Sequence, residues 1–500
     1  MRRRGADLDS LALRGDAMVE LKNVSFRYGA AEAENTNENR PGHASENASE
    51  NSLHGISLRV AKGEFVLLTG PSGCGKTTIL RLINGLIPQF YPGTLSGEIL
   101  VDGEAVSSRE LYENALRIGT VFQNPRTQFY NVDTTGELGF ACENQGIPEA
   151  EIYARIDRTV AHFQMNDLME RSIFHLSDGE KQKIACASVD VAGTEIILLD
   201  EPSANLDYES TVMLRELIRS WKQAGKTIIA AEHRIAYLWD LIDRALILRE
   251  GTIVRELRGA KKDEVTAEQL KDMGLRTIIP ESPSQIPLPP VTEDDPKVTL
   301  RDFHFSYRGT AREVVAYPEL TFAEGKITAI VGGNGAGKTS LLNCICGLEK
   351  RCRGTLSYHG KAYGRKDRKK LAFMVMQDTG NQLFTESVLD EVLISLPKDT
   401  PDENEEARRI LHDLDLDTFT DRHPQSLSGG QKQRLAIACA IASGRQILLL
   451  DEPTSGLDYA HMKETAQLLK TLQKRGTTIL VVTHDSELIH SCCDRMITVR

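Results

Sequence analysis

The chain has 500 residues, more than one hydrophobic core ordinarily supports, so at least two domains are expected. Its formal net charge of −11 disfavours a dedicated nucleic-acid binder, which would neutralise phosphates with clustered Lys and Arg. No stretch approaches the roughly 18 consecutive apolar residues of a membrane helix, so the chain itself is not expected to cross a bilayer.

Met1-Arg2-Arg3-Arg4 is basic, but neither an apolar h-region nor a small-residue cleavage site follows, and a cytoplasmic location is expected. The nine cysteines are an odd number and Cys74 lies inside a glycine-rich loop, which fits a reducing compartment. Residues 19–28 alternate as a strand and end on Tyr28. The polar tract 31–51 has almost nothing to bury and reads as a disordered loop. A second strand covers 53–60, and a short buried strand covers 64–69.

That strand leads into Gly70-Pro71-Ser72-Gly73-Cys74-Gly75-Lys76-Thr77, a complete G-x-x-x-x-G-K-[ST] phosphate loop, and residues 78–83 continue with helical spacing. The glycines let backbone N–H groups turn inward around phosphate oxygens at a helix N-terminus. Lys76 would reach the outer phosphates and the Thr77 hydroxyl would hold Mg²⁺.

Strands follow at 97–103 and 118–122, with Gln123 directly after the second. Residues 134–169 read as a helical insertion, and Leu176-Ser177-Asp178-Gly179-Glu180 opens a further helix. A buried strand at 195–199 ends on Asp200 and Glu201; after another helix and a strand through Ile228 and Ile229 comes His233. Pro280, Pro283, Pro287, Pro289 and Pro290 then mark an extended, semi-rigid linker.

Beyond the linker the order repeats. Tyr307 ends an aromatic strand, Gly332-Gly333-Asn334-Gly335-Ala336-Gly337-Lys338-Thr339 is a second phosphate loop, and Gln377, 427–431, Asp451-Glu452 and His484 follow. Six features recurring in order are an internal duplication. Asp200 to His233 and Asp451 to His484 both span 33 residues, whereas Tyr28 to Lys76 spans 48 and Tyr307 to Lys338 only 31, the excess falling on the polar tract. The helix after the second loop carries Cys344 and Cys346, which two apart face different ways, so these and Cys352 read as buried thiols rather than a metal cluster.

With Leu427-Ser428-Gly429-Gly430-Gln431 added to the two phosphate loops, both halves resemble the nucleotide-binding domains of ATP-binding cassette (ABC) proteins. The resemblance implies an α/β fold of two tandem P-loop NTPase domains, each a RecA-like core with an antiparallel β subdomain and a helical subdomain. The expected layout is an N-terminal extension at 1–17, a first domain at 18–258, a proline-rich linker at 259–295 and a second domain at 296–500. The implied activity is ATP hydrolysis with Mg²⁺. Tyr28 and Tyr307 would stack on adenine, and Thr78 and Ser340 would join the phosphate loops in binding nucleotide. Thr77, Gln123 and Asp200, and likewise Thr339, Gln377 and Asp451, would serve the metal. Glu201 and Glu452 would act as general bases, Gln123 and Gln377 would sense the metal and γ-phosphate, and His233 and His484 would contact that phosphate.

The resemblance also implies that Ser428, Gly429, Gly430 and Gln431 face the phosphate loop of the other domain, with two ATP molecules sandwiched between the halves. Ser177, Gly179 and Glu180 would do so reciprocally, but Asp178 stands where the pattern has Gly and Glu180 where it has Gln. A carboxylate about 5 Å from a phosphate charge costs roughly 3 kcal/mol per charge pair at an effective dielectric of about 20. Asp178 is therefore expected either to point away from the phosphate or to complete, with Lys338, a slower site.

Gln123-Asn124-Pro125-Arg126-Thr127-Gln128-Phe129 resembles the ATPases of energy-coupling factor importers, which take up vitamins and transition metals in prokaryotes. The second half keeps Gln377 and Gln382 but lacks Asn-Pro. That resemblance implies an integral membrane scaffold (T) protein and a substrate-capture (S) protein as partners. It also implies a peripheral place on the cytoplasmic face of the cell membrane, no nucleic acid, and no direct contact with the cargo. The groove after the glutamines would receive the scaffold, with Glu137 and Glu391 either pairing with its arginines or standing as exposed helical glutamates. Two rivals stay open, the fused ATPase of a monosaccharide importer and an ABC protein acting on ribosomes. The second half stops at Ile497-Thr498-Val499-Arg500 where the first continues through Glu250-Gly251-Thr252, so a terminal hairpin is expected to be missing there.

Overall fold

The computed structural model of the chain describes residues 17–29, 53–204, 206–277, 282–289, 292, 296–309 and 313–499. The polar tract 31–51 and most of the N-terminal extension lie outside the described residues, while Ala17 already begins a strand. The chain divides into two compact units, Met1–Pro280 and Glu281–Arg500.

In the first unit a parallel sheet forms the centre. Its strand order is Thr252–Arg258, Arg244–Arg249, Phe65–Thr69, Thr227–Ala231, Ile196–Asp200, Ile118–Val121, and only the hairpin partner Thr252–Arg258 runs antiparallel. All five residues of Phe65–Thr69, Ile196–Asp200 and Thr227–Ala231 are buried, because helices cover both faces of such a sheet, and the strands accordingly read as unbroken apolar runs. A second, antiparallel sheet pairs Leu53–Ala61, Ala17–Tyr28, Gly93–Val101 and Glu104–Ala105. Its inward side chains Val19, Leu21, Val24 and Phe26 join the phosphate-loop helix Lys76–Ile83 in one core cluster. The expected helical insertion is two helices, Thr134–Asn144 and Glu149–His162, packed on a third, Asp178–Ala192.

The second unit repeats this plan with strand order Ala372–Val375, Ile447–Asp451, Thr478–Val482, Ile327–Val331, Arg495–Thr498, all parallel. An antiparallel sheet pairs Val315–Ala323, Lys297–Phe305, Arg353–Tyr358 and Lys361–Tyr363. Helices Val388–Leu393, Glu403–Asp413 and Gly429–Ala442 form the helical part. Arg495–Thr498 is the edge strand of its sheet, whereas its counterpart Arg244–Arg249 is covered by the hairpin.

The stretch expected as linker is more structured than its prolines suggest. Helices Ala260–Asp263 and Ala267–Asp272 lie within it, and Val265, Leu270 and Leu275 are buried in the first unit's core. Leu270 lies within the second of these helices, and Val265 and Leu275 flank it on either side.

Candidate functional site

In each unit the phosphate loop, the strand-ending aspartate, the glutamine and the histidine lie at the carboxyl ends of the parallel strands, where ligands of open α/β sheets bind, whereas the signature segments open helices of the helical part. The phosphate loop leaves Phe65–Thr69, Asp200 ends Ile196–Asp200, His233 follows Thr227–Ala231 and Gln123 follows Ile118–Val121. The loop's shape depends on its glycines. Gly75 holds φ +101° at the helix start, and a Cβ there would lie 2.4 Å from the Leu53 side chain. Gly337 holds φ +86° in the second unit, with a Cβ position 2.5 Å from Val314 O.

Lys76 is buried, with its Nζ donating to Gly70 O and Pro71 O at 3.1 Å and lying 3.2 Å from His233 Nε2. The same His233 nitrogen is 3.2 Å from Glu201 Oε1, and Gln123 Nε2 donates to Glu201 Oε2 at 2.9 Å. Thr77 Oγ1 donates to Asp200 Oδ1 at 2.8 Å across 123 residues of sequence. Lysine, threonine, aspartate, glutamate, glutamine and histidine thus form one connected corner. Asp200 and Thr77 offer hard oxygen donors side by side, the donor set Mg²⁺ takes, and Lys76 at the loop offers a cation for phosphate oxygens. The residues present fit MgATP.

The second unit matches in part. Lys338 Nζ donates to Gly332 O at 2.8 Å and Gly333 O at 3.0 Å, and the Thr339 hydroxyl hydrogen-bonds Asp451. His484 Nε2 is 3.4 Å from Glu452 Oε1. Gln377 is exposed and has no hydrogen-bond partner among the described residues, unlike Gln123. The tyrosines are anchored alike: Tyr28 OH lies 3.2 Å from Thr78 Oγ1, and Tyr307 OH lies 2.8 Å from Ser340 Oγ. Each has a strand phenylalanine edge-on beside it, Phe26 at 4.8 Å and Phe305 at 4.9 Å between ring centroids, and Tyr28 also has Tyr91, whose ring centroid is 6.5 Å away and carries Arg81 at 4.2 Å. Nothing in the residue pattern pointed to Tyr91.

Burial and the adjacent Glu201 charge push Asp200 up to about 6 from an ordinary 3.8, against the Thr77 hydrogen bond, and burial raises Asp451 in the same direction. The folded chain therefore holds the Asp200 proton more tightly than the unfolded chain. This group favours the folded state below pH 3.8, and that contribution is lost as pH rises through about 6. In the absence of nucleotide and metal, Asp200→Asn should therefore gain stability over wild type as pH climbs across that window. Thermal melts at stepped pH check this, and a constant difference between the two chains would contradict it.

At the altered signature segment, Ser177 caps helix Asp178–Ala192 and Glu180 returns the bond, accepting from Ser177 N at 2.7 Å, so Glu180 does the capping that Gln431 does for Ser428. Asp178 is matched by cations of its own unit: Arg126 Nη2 donates to its Oδ1 at 2.9 Å and Lys181 Nζ is 3.6 Å away. The positions corresponding to Arg126 and Asp178 are Gly380 and Gly429 in the second unit, so the pair is present together or absent together. Gly179, Gly429 and Gly430 lie in the first turns of their helices, and a Cβ on Gly430 would come 3.2 Å from the His461 ring.

The glutamines five residues on have a visible task. Gln128 Oε1 accepts from Phe122 N at 3.3 Å and Gln382 Oε1 from Met376 N at 3.1 Å, clipping both loops closed. Asn124 and Asp378 cap the same turn by accepting from Arg126 N and Gly380 N, both at 3.1 Å, so the missing Asn-Pro leaves the geometry unchanged.

Neither expectation for Glu137 and Glu391 holds. Both are 4% exposed, and their carboxylates take backbone donors: Tyr130 N and Asn131 N for Glu137, Phe384 N and Thr385 N for Glu391. Each lies on the covered face of its helix, with Thr134, Leu138 and Cys142 in the first unit and Val388 and Val392 in the second, and a carboxylate buried there needs donors. Glu137→Ala strands two N–H groups and should cost about 1–3 kcal/mol in denaturant titration.

A family profile described as ABC transporter matches residues 53–204 and 317–455. A Treponema denticola protein described as an ABC transporter ATP-binding protein is 42% identical over 485 residues, covering 96% of this chain and 95% of that one. A Methanosarcina mazei protein described likewise is 30% identical over 536 residues, covering 97% and 88%. Among solved structures, RNase-L Inhibitor superposes with a TM-score of 0.61 at 20% identity, covering 95% of this chain and 87% of that one, a likeness of fold.

Proposed function

This chain belongs to the ABC transporter family of ATPases, and from that premise we propose that it powers an energy-coupling factor type importer, driving uptake of a vitamin or transition metal through separate membrane subunits. It carries two tandem ABC ATPase domains, and among the described residues no helix is long and apolar enough to cross a membrane. The observation that carries the importer reading is the loop after Gln123 and Gln377, closed in both units by a glutamine five residues on. The partners of this reading are an integral scaffold and a substrate-capture protein, with the chain on the cytoplasmic face and out of contact with the cargo.

In the proposed chemistry Lys76 and the loop N–H groups bind the phosphates of ATP, and Tyr28 takes the base. Thr77 and Asp200 would hold Mg²⁺, which when bound neutralises charge on the phosphate oxygens. Glu201, oriented by Gln123, takes the proton of the attacking water, and His233 steadies the transferred phosphoryl group. The proposed working unit pairs each phosphate loop with the signature segment of the other half. Moving such a two-state clamp from 1:99 to 99:1 takes about 5.5 kcal/mol of differential binding, within reach of two nucleotides.

Purification of the chain from native membranes tests this reading. Two co-purifying integral proteins and a bound micronutrient are expected. Recovery with ribosomes and never with membranes would overturn it, and a monosaccharide-binding membrane partner would move it to a different importer class.

A further inference from the structure

The histidine segment of the first unit is fastened by a carboxylate that no motif singles out. Glu232 is 1% exposed, and its two oxygens take five donors. Oε1 accepts from Ser203 N at 3.3 Å, from the Ser203 hydroxyl, and from Tyr237 OH at 3.0 Å. Oε2 accepts from His233 N at 2.8 Å and Arg234 N at 3.3 Å. Arg234 adds to the tie, its Nη1 donating to Ser203 O at 3.3 Å and Leu206 O at 3.2 Å. The two segments joined are the turn just after Glu201 and the backbone of His233, whose ring sits 3.2 Å from Glu201 and from Lys76. A buried carboxylate so fully occupied by donors fixes the groups that make those bonds.

The second unit joins the same two segments with different residues. A constant offset of 251 residues relates Ser203 to Thr454, Glu232 to Thr483, His233 to His484 and Arg234 to Asp485. There Asp485 Oδ2 accepts from Thr454 Oγ1 at 2.7 Å, and its Oδ1 accepts from Glu487 N at 3.1 Å and Leu488 N at 3.2 Å. The carboxylate stands before the histidine in one unit and after it in the other, yet both reach the hydroxyl of the turn after the glutamate.

We propose that Glu232 is a positioning residue for hydrolysis in the first unit, holding His233 in register with Glu201 by gripping the backbone beside each of them, and that Asp485 does this for His484 and Glu452. The proposal rests on the hydrolytic roles given above to Glu201 and His233. A Glu201→Gln chain with wild-type turnover would overturn those roles, so that variant is measured alongside.

The test uses the full chain with MgATP, reading kcat, KM, the ratio of ATP to ADP affinity by calorimetry, and Tm. Glu232→Ala should lower kcat about tenfold to a hundredfold, the scale of a misplacement near 1 Å. KM should stay within about threefold, since the phosphate loop is untouched. Glu232→Gln keeps the shape but turns an amide donor toward one set of donors; it should lower Tm, kcat and ATP preference each to a smaller degree than Glu232→Ala. Glu232→Thr combined with Arg234→Asp rebuilds the second unit's version of the tie and should recover most of the kcat lost in Glu232→Ala. The proposal is overturned if Glu232→Ala and Glu232→Gln keep kcat within about twofold of wild type. It is equally overturned if kcat falls only in step with Tm and the double variant does no better than Glu232→Ala.

Discussion

Glu201→Gln is expected to lower steady-state ATP turnover by about 10²–10⁴-fold, the usual scale for losing a positioned general base, while Glu452→Gln costs less than about tenfold. Two features of the first unit motivate the difference. Gln123 is already bonded to Glu201 at 2.9 Å and His233 bridges Glu201 to Lys76, whereas Gln377 has no such bond among the described residues. The proposed pairing also gives the Glu201 site the unaltered segment Ser428–Gln431, and gives the Glu452 site the segment carrying Asp178. Arg126 and Lys181 beside Asp178 offset its charge within the first unit, but an exposed ion pair of this kind contributes only about 0–1 kcal/mol. Separate turnover measurements on the two variants decide the matter: equal losses would show the sites to be equivalent.

The second large effect lies away from the chemistry, at the joint between the helical part and the sheet of the first unit. Trp221 is 2% exposed and donates from Nε1 to Asp190 Oδ1 at 2.8 Å, while Thr159 Oγ1 donates to Asp190 Oδ2 at 2.7 Å. One aspartate thus ties helix Glu149–His162 to Tyr208–Gln223 through Asp178–Ala192. The second unit has Ile410, Ile441 and Leu472 at these three places, each at the same offset of 251 residues, and all three line a cleft of about 360 Å³. Trp221→Ala should therefore cost about 3–5 kcal/mol from the lost indole and the cavity left behind. Because the two units need not unfold together, the loss should shift one denaturant transition and leave the other in place. A shift below about 1 kcal/mol, or an equal shift of both, would contradict it. Leu472→Trp is the converse case: the indole would enter the cleft without an acceptor at Ile441, and little stabilisation is expected.

What the residues themselves determined is set by short stretches of chain. The phosphate loops at 70–77 and 332–339 are legible because a glycine-rich turn between a buried strand and a helix N-terminus is a local backbone requirement. The duplication, the strands ending on Asp200 and Asp451, and the helix opened by Ser428 are legible for the same reason. The direction of Glu137 and Glu391 was not, since sequence offset alone does not say which face of a short helix is covered. Nor were Glu232, Asp190 and Trp221 recognisable as partners. Ser203 and Glu232 are 29 residues apart, and Asp190 and Trp221 are 31 apart, and each pair meets only because neighbouring parallel strands and their helices bring the chain back to the same end of the sheet. Which buried carboxylate finds which donor is decided by that packing, where an unpaired charge would be too costly to keep and any position supplying the donors will serve. The two units accordingly share the glycines, lysine and threonine of their phosphate loops, yet fasten the histidine with a carboxylate that precedes it in one and follows it in the other.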